Sequence, residues 1–294
     1  MRQWLKQYSL GFSVLLAASL VGCSKKENPG PGGGNSSGGT GTNTDTTCKL
    51  ASISQVNSGT GVESSLSVTY NSSHDVTKIV VYDSLSKTKS FEASFTYITA
   101  DSVRIDPFQY LLLDGQKRVI RFVTKSDLAD PLRSDNYVFV YQYNSDGYLA
   151  SKNLFINGTA KVNLSTVYTY TNGTLTSCSI MAPNAGNGRV MLAALSYDNS
   201  TIVKNWINTF PDAIEGYPYL AVLNFGKRPV HPLTRVVTQI YNPATGSLVD
   251  TWTTNYGNYK IDTKGYVLSG VATGDLQQGM AAFYGKTNFY YTCY

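Results

Sequence analysis

The chain has 294 residues, of which 42% are hydrophobic, 12% aromatic and only 15% charged, with a formal net charge of +5. Soluble domains usually carry about 25% charged residues, so polarity here comes from Ser, Thr, Asn and 22 Tyr, and Tyr in particular suits extended, half-buried strands. That balance excludes a coiled coil, a collagen-like chain and a wholly disordered one, and the presence of one long apolar stretch, at the N-terminus, excludes a multi-span helical membrane protein.

The apolar stretch comes first in chain order. Arg2 and Lys6 give a positive start, and Tyr8 to Val21 supplies an apolar segment of signal-peptide length, too short for a comfortable membrane span. It ends Leu20-Val21-Gly22-Cys23, with a small residue before the cysteine. This resembles the bacterial lipobox. The resemblance implies a signal over 1–22 that is removed, and a Cys23 that is acylated as the new N-terminus. Several acyl chains, each buried CH₂ worth about 0.8 kcal/mol, hold such a chain on a bilayer almost permanently. Ser24 is not the Asp that retains lipoproteins in the inner membrane, so the same resemblance implies the outer membrane, with neither its periplasmic nor its surface side selected. Residues 23–47 are rich in Gly, Ser and Thr. With so little apolar surface to bury, they are expected to act as a flexible tether spanning roughly 25–30 Å.

The remainder, 48–294, is expected to fold as one domain. Its 20 basic and 17 acidic residues leave +3, and no clustered basic stripe marks a nucleic-acid partner. One phrase repeats along it: aromatic alternation, a turn carrying Asn, Asp or Gly, then a second alternating run. Tyr141-Gln142-Tyr143-Asn144-Ser145-Asp146-Gly147-Tyr148-Leu149 is the fullest copy, and Tyr259 to Val267 is another. Asn144 to Gly147 and Asp262 to Gly265 fit type I turns closed by a Gly at positive φ, and Asn172-Gly173 fits a type I′ turn. Tyr70 and Tyr97, Tyr143 and Tyr170, and Tyr170 and Tyr197 are each 27 positions apart. In an up-and-down sheet equivalent positions recur every two strands, which predicts strands of roughly ten residues, on the order of sixteen to eighteen of them. So many strands curl, close or stack in two layers. The predicted fold class is therefore all-β: a long-stranded antiparallel meander curled into a barrel-like sheet. A turn or so of helix is predicted only around Pro211 to Gly216.

The recurring Tyr-x-Tyr-(Asn/Asp)-x-x-Gly phrase resembles the tyrosine–aspartate repeats of bacterial surface proteins. Together with the lipobox, the Gly-rich tether and Gly226-Lys227, the chain is similar to an uncharacterised Tyr-rich outer-membrane lipoprotein family of the Bacteroidota. The similarity spans 65–294, and it implies a porin-like domain without assigning an activity. Leu111 to Gln116 departs from the repeat as a hairpin lacking the Tyr, and so does the irregular stretch 206–235. Insertion of the barrel into the membrane is not expected. Lipid-facing strands need a consistent apolar outer face, whereas Asn144 to Lys152 and Asn242 to Tyr259 read as polar on both faces, although Tyr290, Thr292 and Tyr294 faintly resemble the aromatic terminal signal of outer-membrane barrels.

Of the four cysteines, Cys23 is assigned to lipid. Cys48 and Cys293 bracket the domain, and a bond between them would join its terminal strands, leaving Cys178 outside it. Only two histidines exist. His74-Asp75 lies in a turn and is a weak seed for a catalytic triad, while His231 sits between Pro229 and Pro232. Neither has the neighbours that metal ligation needs, and no cofactor motif is present. Asp127 with Asp130, Asp101 with Asp106, and Asp212 with Glu215 are acidic pairs of the kind glycoside hydrolysis uses, at separations sequence does not set. Long non-repetitive connections often carry function, and this one concentrates Trp206, Tyr217, Tyr219, Lys227, Arg228 and His231, residues able to bind a glycan or an envelope protein. The reading is thus a lipid-anchored envelope protein that binds or scaffolds. Its alternatives are a glycan-processing hydrolase using Asp212 and Glu215, and an outer-membrane pore.

Overall fold

The computed structural model describes residues 48–56, 63–83, 88–106, 109–125, 136–204, 222–275 and 285–294. Cys23 and the expected tether lie outside these residues. So do Asp127, Asp130, Trp206, Tyr217 and Tyr219, and the segment Pro211 to Gly216 with its acidic pair Asp212 and Glu215.

Alternation of apolar and polar residues makes each described element a strand, with no α-helix among them. The order begins β1 (Cys48–Val56), β2 (Glu63–Tyr70), β3 (Val76–Asp83), β4 (Thr88–Ser94), β5 (Thr96–Thr99) and β6 (Ser102–Asp106). It continues β7 (Gln109–Leu113), β8 (Val119–Lys125), β9 (Asn136–Tyr143), β10 (Leu149–Ile156), β11 (Leu164–Thr171) and β12 (Thr174–Met181). It ends β13 (Arg189–Tyr197), β14 (Leu233–Tyr241), β15 (Leu248–Ile261), β16 (Val267–Gly274) and β17 (Gly285–Cys293).

Apart from β4 and β5, which do not pair with each other, each strand pairs antiparallel with the one before and the one after, and β1 pairs with both β2 and β17. The sheet is therefore a barrel-shaped meander whose last strand meets its first. An antiparallel meander can close in this way only with an even number of staves, yet there are seventeen elements. Parity is restored at Phe95. β4 pairs with β3, β5 pairs with β6, and between them the Phe95 N–H still donates to the Thr77 carbonyl at 2.8 Å. β4 and β5 are one bent stave.

Most strands run seven to nine residues, shorter than the ten predicted; β15 alone reaches 14. The 27-residue interval is completed by connections instead. From Tyr143 to Tyr170 the chain passes the turn 144–148, β10, the connection 157–163 and most of β11. The irregular stretch is shorter than expected too, because β14 begins at Leu233.

The inner face is apolar. Phe122, Phe139 and Leu154 stand in register on β8, β9 and β10, all buried, with the two phenyl rings 5.9 Å apart. Burying a side chain of this size contributes about 1.5–3 kcal/mol. One residue along, Arg121, Val140 and Asn153 form the matching outward row. In the stretch Asn144 to Lys152, expected to be polar on both faces, the inward residues are mixed: Leu149 is apolar and Lys152 is charged. Lys152 is only 4% exposed, with its ammonium 5.7 Å from the Phe139 ring centroid.

Four reversals at the end where β1 starts share one construction. Asn71, Asp114, Asn144 and Asp262 each open a turn with Oδ1 accepting a backbone N–H four residues on, from Asp75, Arg118, Tyr148 and Tyr266. The residue three after the opening one lies at positive φ: His74 at 61°, Lys117 at 56°, Gly147 at 89° and Gly265 at 91°. Asn172 and Gly173, both at positive φ, make the tighter type I′ turn. A side chain at Gly265 would be strained, so Gly265→Ala is expected to lower stability by about 1–2 kcal/mol. Lys117→Gly relieves a similar strain while losing an exposed ion pair to Asp75, and is expected to stay within about 0.5–1 kcal/mol of the parent. Urea midpoints of the two variants check the contrast.

Candidate functional site

The end of the barrel where β1 begins and β17 finishes is built by tyrosine. Tyr70, Tyr97, Tyr143, Tyr259 and Tyr291 lie at or near the ends of strands arriving there. Each hydroxyl donates to a carbonyl at or near the start of a departing strand. The acceptors are Leu50 (2.7 Å), Val76 (3.2 Å), Val119 (2.6 Å), Leu233 (2.5 Å) and Val267 (3.0 Å). In each case donor and acceptor belong to the two arms of a hairpin that turns at the far end of the barrel. The phenols stitch those arms together where they are open, and three of them, Tyr70, Tyr97 and Tyr143, belong to the 27-residue series.

Burial pushes these phenols up. Tyr97 is raised to about 12, with Asp75 adding to the effect. Tyr70, Tyr143, Tyr259 and Tyr291 rise further, again mainly by burial. Arg118 opposes the rise at Tyr143 and lies over its ring at 4.3 Å.

Two described limbs of the connection between β13 and β14, 198–204 and 222–232, lie across this end. The second limb, 222–232, drops Leu223 and Phe225 into the barrel, where Phe225 meets Tyr141 at 5.0 Å between ring centroids. Backbone bonds hold the limb to two turns: Val119 N–H donates to the Asn224 carbonyl at 2.9 Å, and Lys227 N–H to the Gly147 carbonyl at 2.9 Å. Gly226 is needed at that crossing. A Cβ there would stand 2.4 Å from the Gly147 carbonyl oxygen, and its φ is +83°. The first limb, 198–204, is held by Val203 N–H to the Val230 carbonyl at 2.7 Å and Lys204 N–H to the Gly265 carbonyl at 2.8 Å. The two limbs form a cap.

The described members of the expected ligand-binding group do not converge. Lys227 is exposed, with its ammonium 5.7 Å above the Tyr148 ring. The Tyr148 ring also meets that of Tyr170, tilted by 34° and 4.7 Å away between centroids. Arg228, the next residue, turns inward and donates to the Leu223 carbonyl at 3.0 Å. Burial pulls the guanidinium below its ordinary value, against the opposing fields of Tyr70 and Tyr291. His231 donates through Nδ1 to the Thr201 carbonyl at 2.7 Å and so ties one limb to the other. These three residues assemble the cap, and the tyrosines beneath it have their hydroxyls and several ring faces already engaged. Trp206, Tyr217 and Tyr219, from the same connection, lie outside the described residues.

Around the other candidates the chemistry is structural. The Asp75 carboxylate is held by Lys117 at 2.8 Å rather than oriented toward His74, whose ring rests 4.0 Å from that of Tyr294 between centroids. Asp101 accepts from Thr99 within its own turn. Cys48 and Cys293 are bonded at this end, with Sγ atoms 2.00 Å apart, and Cys178 is buried in the wall outside that bond. Among the described residues no group of three His, Cys, Asp or Glu side chains could hold a metal ion.

No family model and no curated protein matches the chain. Solved structures do. A porin-like protein from Bacteroides uniformis ATCC 8492 superposes over 83% of this chain and 98% of its own, with 16% identity and a TM-score of 0.52. A porin-like protein from Bacteroides vulgatus ATCC 8482 does so over 84% and 99%, with 10% identity and a TM-score of 0.51. At these identities the likeness establishes the fold: an all-β, barrel-shaped antiparallel sheet of the porin-like kind.

The raised phenols set a sign for alkaline stability. The folded state binds their protons more tightly than the unfolded chain, whose tyrosines titrate near 10. Their contribution is complete below about pH 10 and is lost as pH rises through 12 and beyond. Tyrosinate absorbance is expected to appear together with loss of the β circular-dichroism signal in this range. Separately, Tyr143→Phe removes the donor to Val119 and is expected to cost about 1–2 kcal/mol in urea unfolding.

Proposed function

We propose that this chain is a lipid-anchored envelope protein whose barrel works in water as a binding or scaffolding domain, at the outer membrane through Cys23. The polarity of the wall carries this reading. Lys78, Glu92, Arg104, Arg121, Arg235 and Lys286 stand at outward positions along the strands, between inward residues such as Ile79, Val103, Phe122 and Val236. A lysine or arginine on the lipid face of a barrel costs about 2–4 kcal/mol at the bilayer midplane, and several spread around one wall are incompatible with a lipid belt. The interior supports the same view. It is lined by Phe122, Leu154, Ile180 and other large apolar side chains, where a water-filled pore has polar ones.

With the barrel itself outside the bilayer, attachment falls to Cys23 and the Gly/Ser/Thr-rich residues after it. The partner is a glycan or an envelope protein. Contact with it is assigned to the capped end, where Lys227 is exposed.

Two measurements test this together. Radiolabelled palmitate is expected to follow the wild-type chain and to vanish with Cys23→Ala. The chain lacking residues 1–23 is expected to purify as a folded β protein without detergent. A requirement for detergent would point to an inserted barrel, and an unlabelled wild type would remove the anchor.

A further inference from the structure

The first three residues of β1 are tied to four other parts of the molecule. Cys48 is bonded to Cys293, at the end of β17, and its N–H donates to the Tyr266 hydroxyl at 3.0 Å. Lys49 Nζ donates to the His74 carbonyl and lies 5.5 Å from the Tyr70 ring centroid. The Leu50 carbonyl takes the Tyr70 hydroxyl at 2.7 Å. These ties reach the β15–β16 turn, β17, the β2–β3 turn and β2. Cys48 opposite Cys293 is also the terminal pair of the β1–β17 ladder, so the covalent bond sits at the one point where residues 1–47 join the barrel.

That placement matters mechanically. A pull on residue 47 away from the wall would load the β1 ladders one pair at a time from Cys48. Each backbone hydrogen bond contributes only about 0.5–1.5 kcal/mol net, so rupture in sequence meets little resistance. With the bond in place the first pair cannot part, and the same pull is shared between β1 and β17, each paired over part of its length to a further strand, β1 from Ser52 to Val56 with β2 and β17 from Gly285 to Asn288 with β16.

We propose that Cys48–Cys293, with the Tyr266, His74 and Tyr70 ties around it, is a mechanical clasp. It carries the tension of the anchored N-terminal segment into two strands and prevents β1 from being unzipped out of the barrel. The clasp rests on the reading of Cys23 as the anchor, because that anchor is the source of the tension.

Single-molecule pulling tests it. The chain without its signal segment is held by its N-terminal residue and by a handle at the exposed Thr245 of the far-end turn, oxidised and then reduced after folding. Reduction is expected to lower the force of the first event severalfold. It should also add an early extension corresponding to the nine residues of β1, about 3.3 Å each. An unchanged first force, or no early β1 step, overturns the clasp. Reducing the folded wild type avoids any folding defect of Cys48→Ser. Hydrogen exchange supplies a second readout: amides of β1 should lose protection on reduction while those of β8 and β9 keep theirs, and uniform loss would mean the bond supports global stability only. Palmitate labelling separates the two claims. Labelled Cys23 with an unchanged force overturns the clasp alone, whereas an altered force without label overturns the anchor and the load assigned to it.

Discussion

A meander closes on itself only when its first and last strands run in opposite directions and arrive at the same height. Here eight residues of β1 find partners on β17, from Cys48 opposite Cys293 to Val56 opposite Lys286, and much of the remaining geometry follows from that meeting. It requires an even number of staves, hence the merging of β4 and β5 around Phe95. It brings both ends of the described barrel to one rim. It also pairs β1 with β17, two strands that would otherwise be sheet edges and templates for aggregation. Closure encloses a core that includes Ile79, Phe122 and Val267, each fully buried.

The rim where the termini meet is also where the hairpin arms would splay, being farthest from the reversals that join them. Tyrosine answers this because its ring is long and apolar enough to lie inside the barrel while its hydroxyl reaches a backbone carbonyl. The cap then covers the same rim, exchanging backbone hydrogen bonds with turns instead of adding a strand. Placing Leu223 and Phe225 inside and Lys227 outside follows from the alternation of an extended segment, in which neighbouring residues face opposite ways.

Strand character, antiparallel order and approximate strand number were legible from alternation and turn chemistry, because those signals are local. Gly147, Asn172-Gly173 and Gly265 announced their reversals. The equivalent turns at His74 and Lys117 were harder to identify, since a positive φ at a non-glycine residue leaves little trace in sequence; the cue was the Asn or Asp three residues earlier. Strand length was overestimated because a period measures strand plus connection together and cannot divide them. The tyrosine spacing was visible, but it read only as the period of two strands. Which carbonyl each hydroxyl reaches depends on pairings twenty or more residues apart, from Leu50 for Tyr70 to Leu233 for Tyr259. The capping segment stood out as an exception to the repeat. Its destination did not, and Arg228 and His231, chosen as ligand-binding candidates for their chemistry, each make a hydrogen bond within the cap.

The most direct test of closure is chemical mapping of the thiols. Alkylation of the native chain followed by non-reducing peptide mapping is expected to recover a peptide pair joined through Cys48 and Cys293, with Cys178 modified only after unfolding. A bond to Cys178 from either partner, or free thiols at both Cys48 and Cys293 in the folded protein, would contradict a barrel whose first strand is locked against its last.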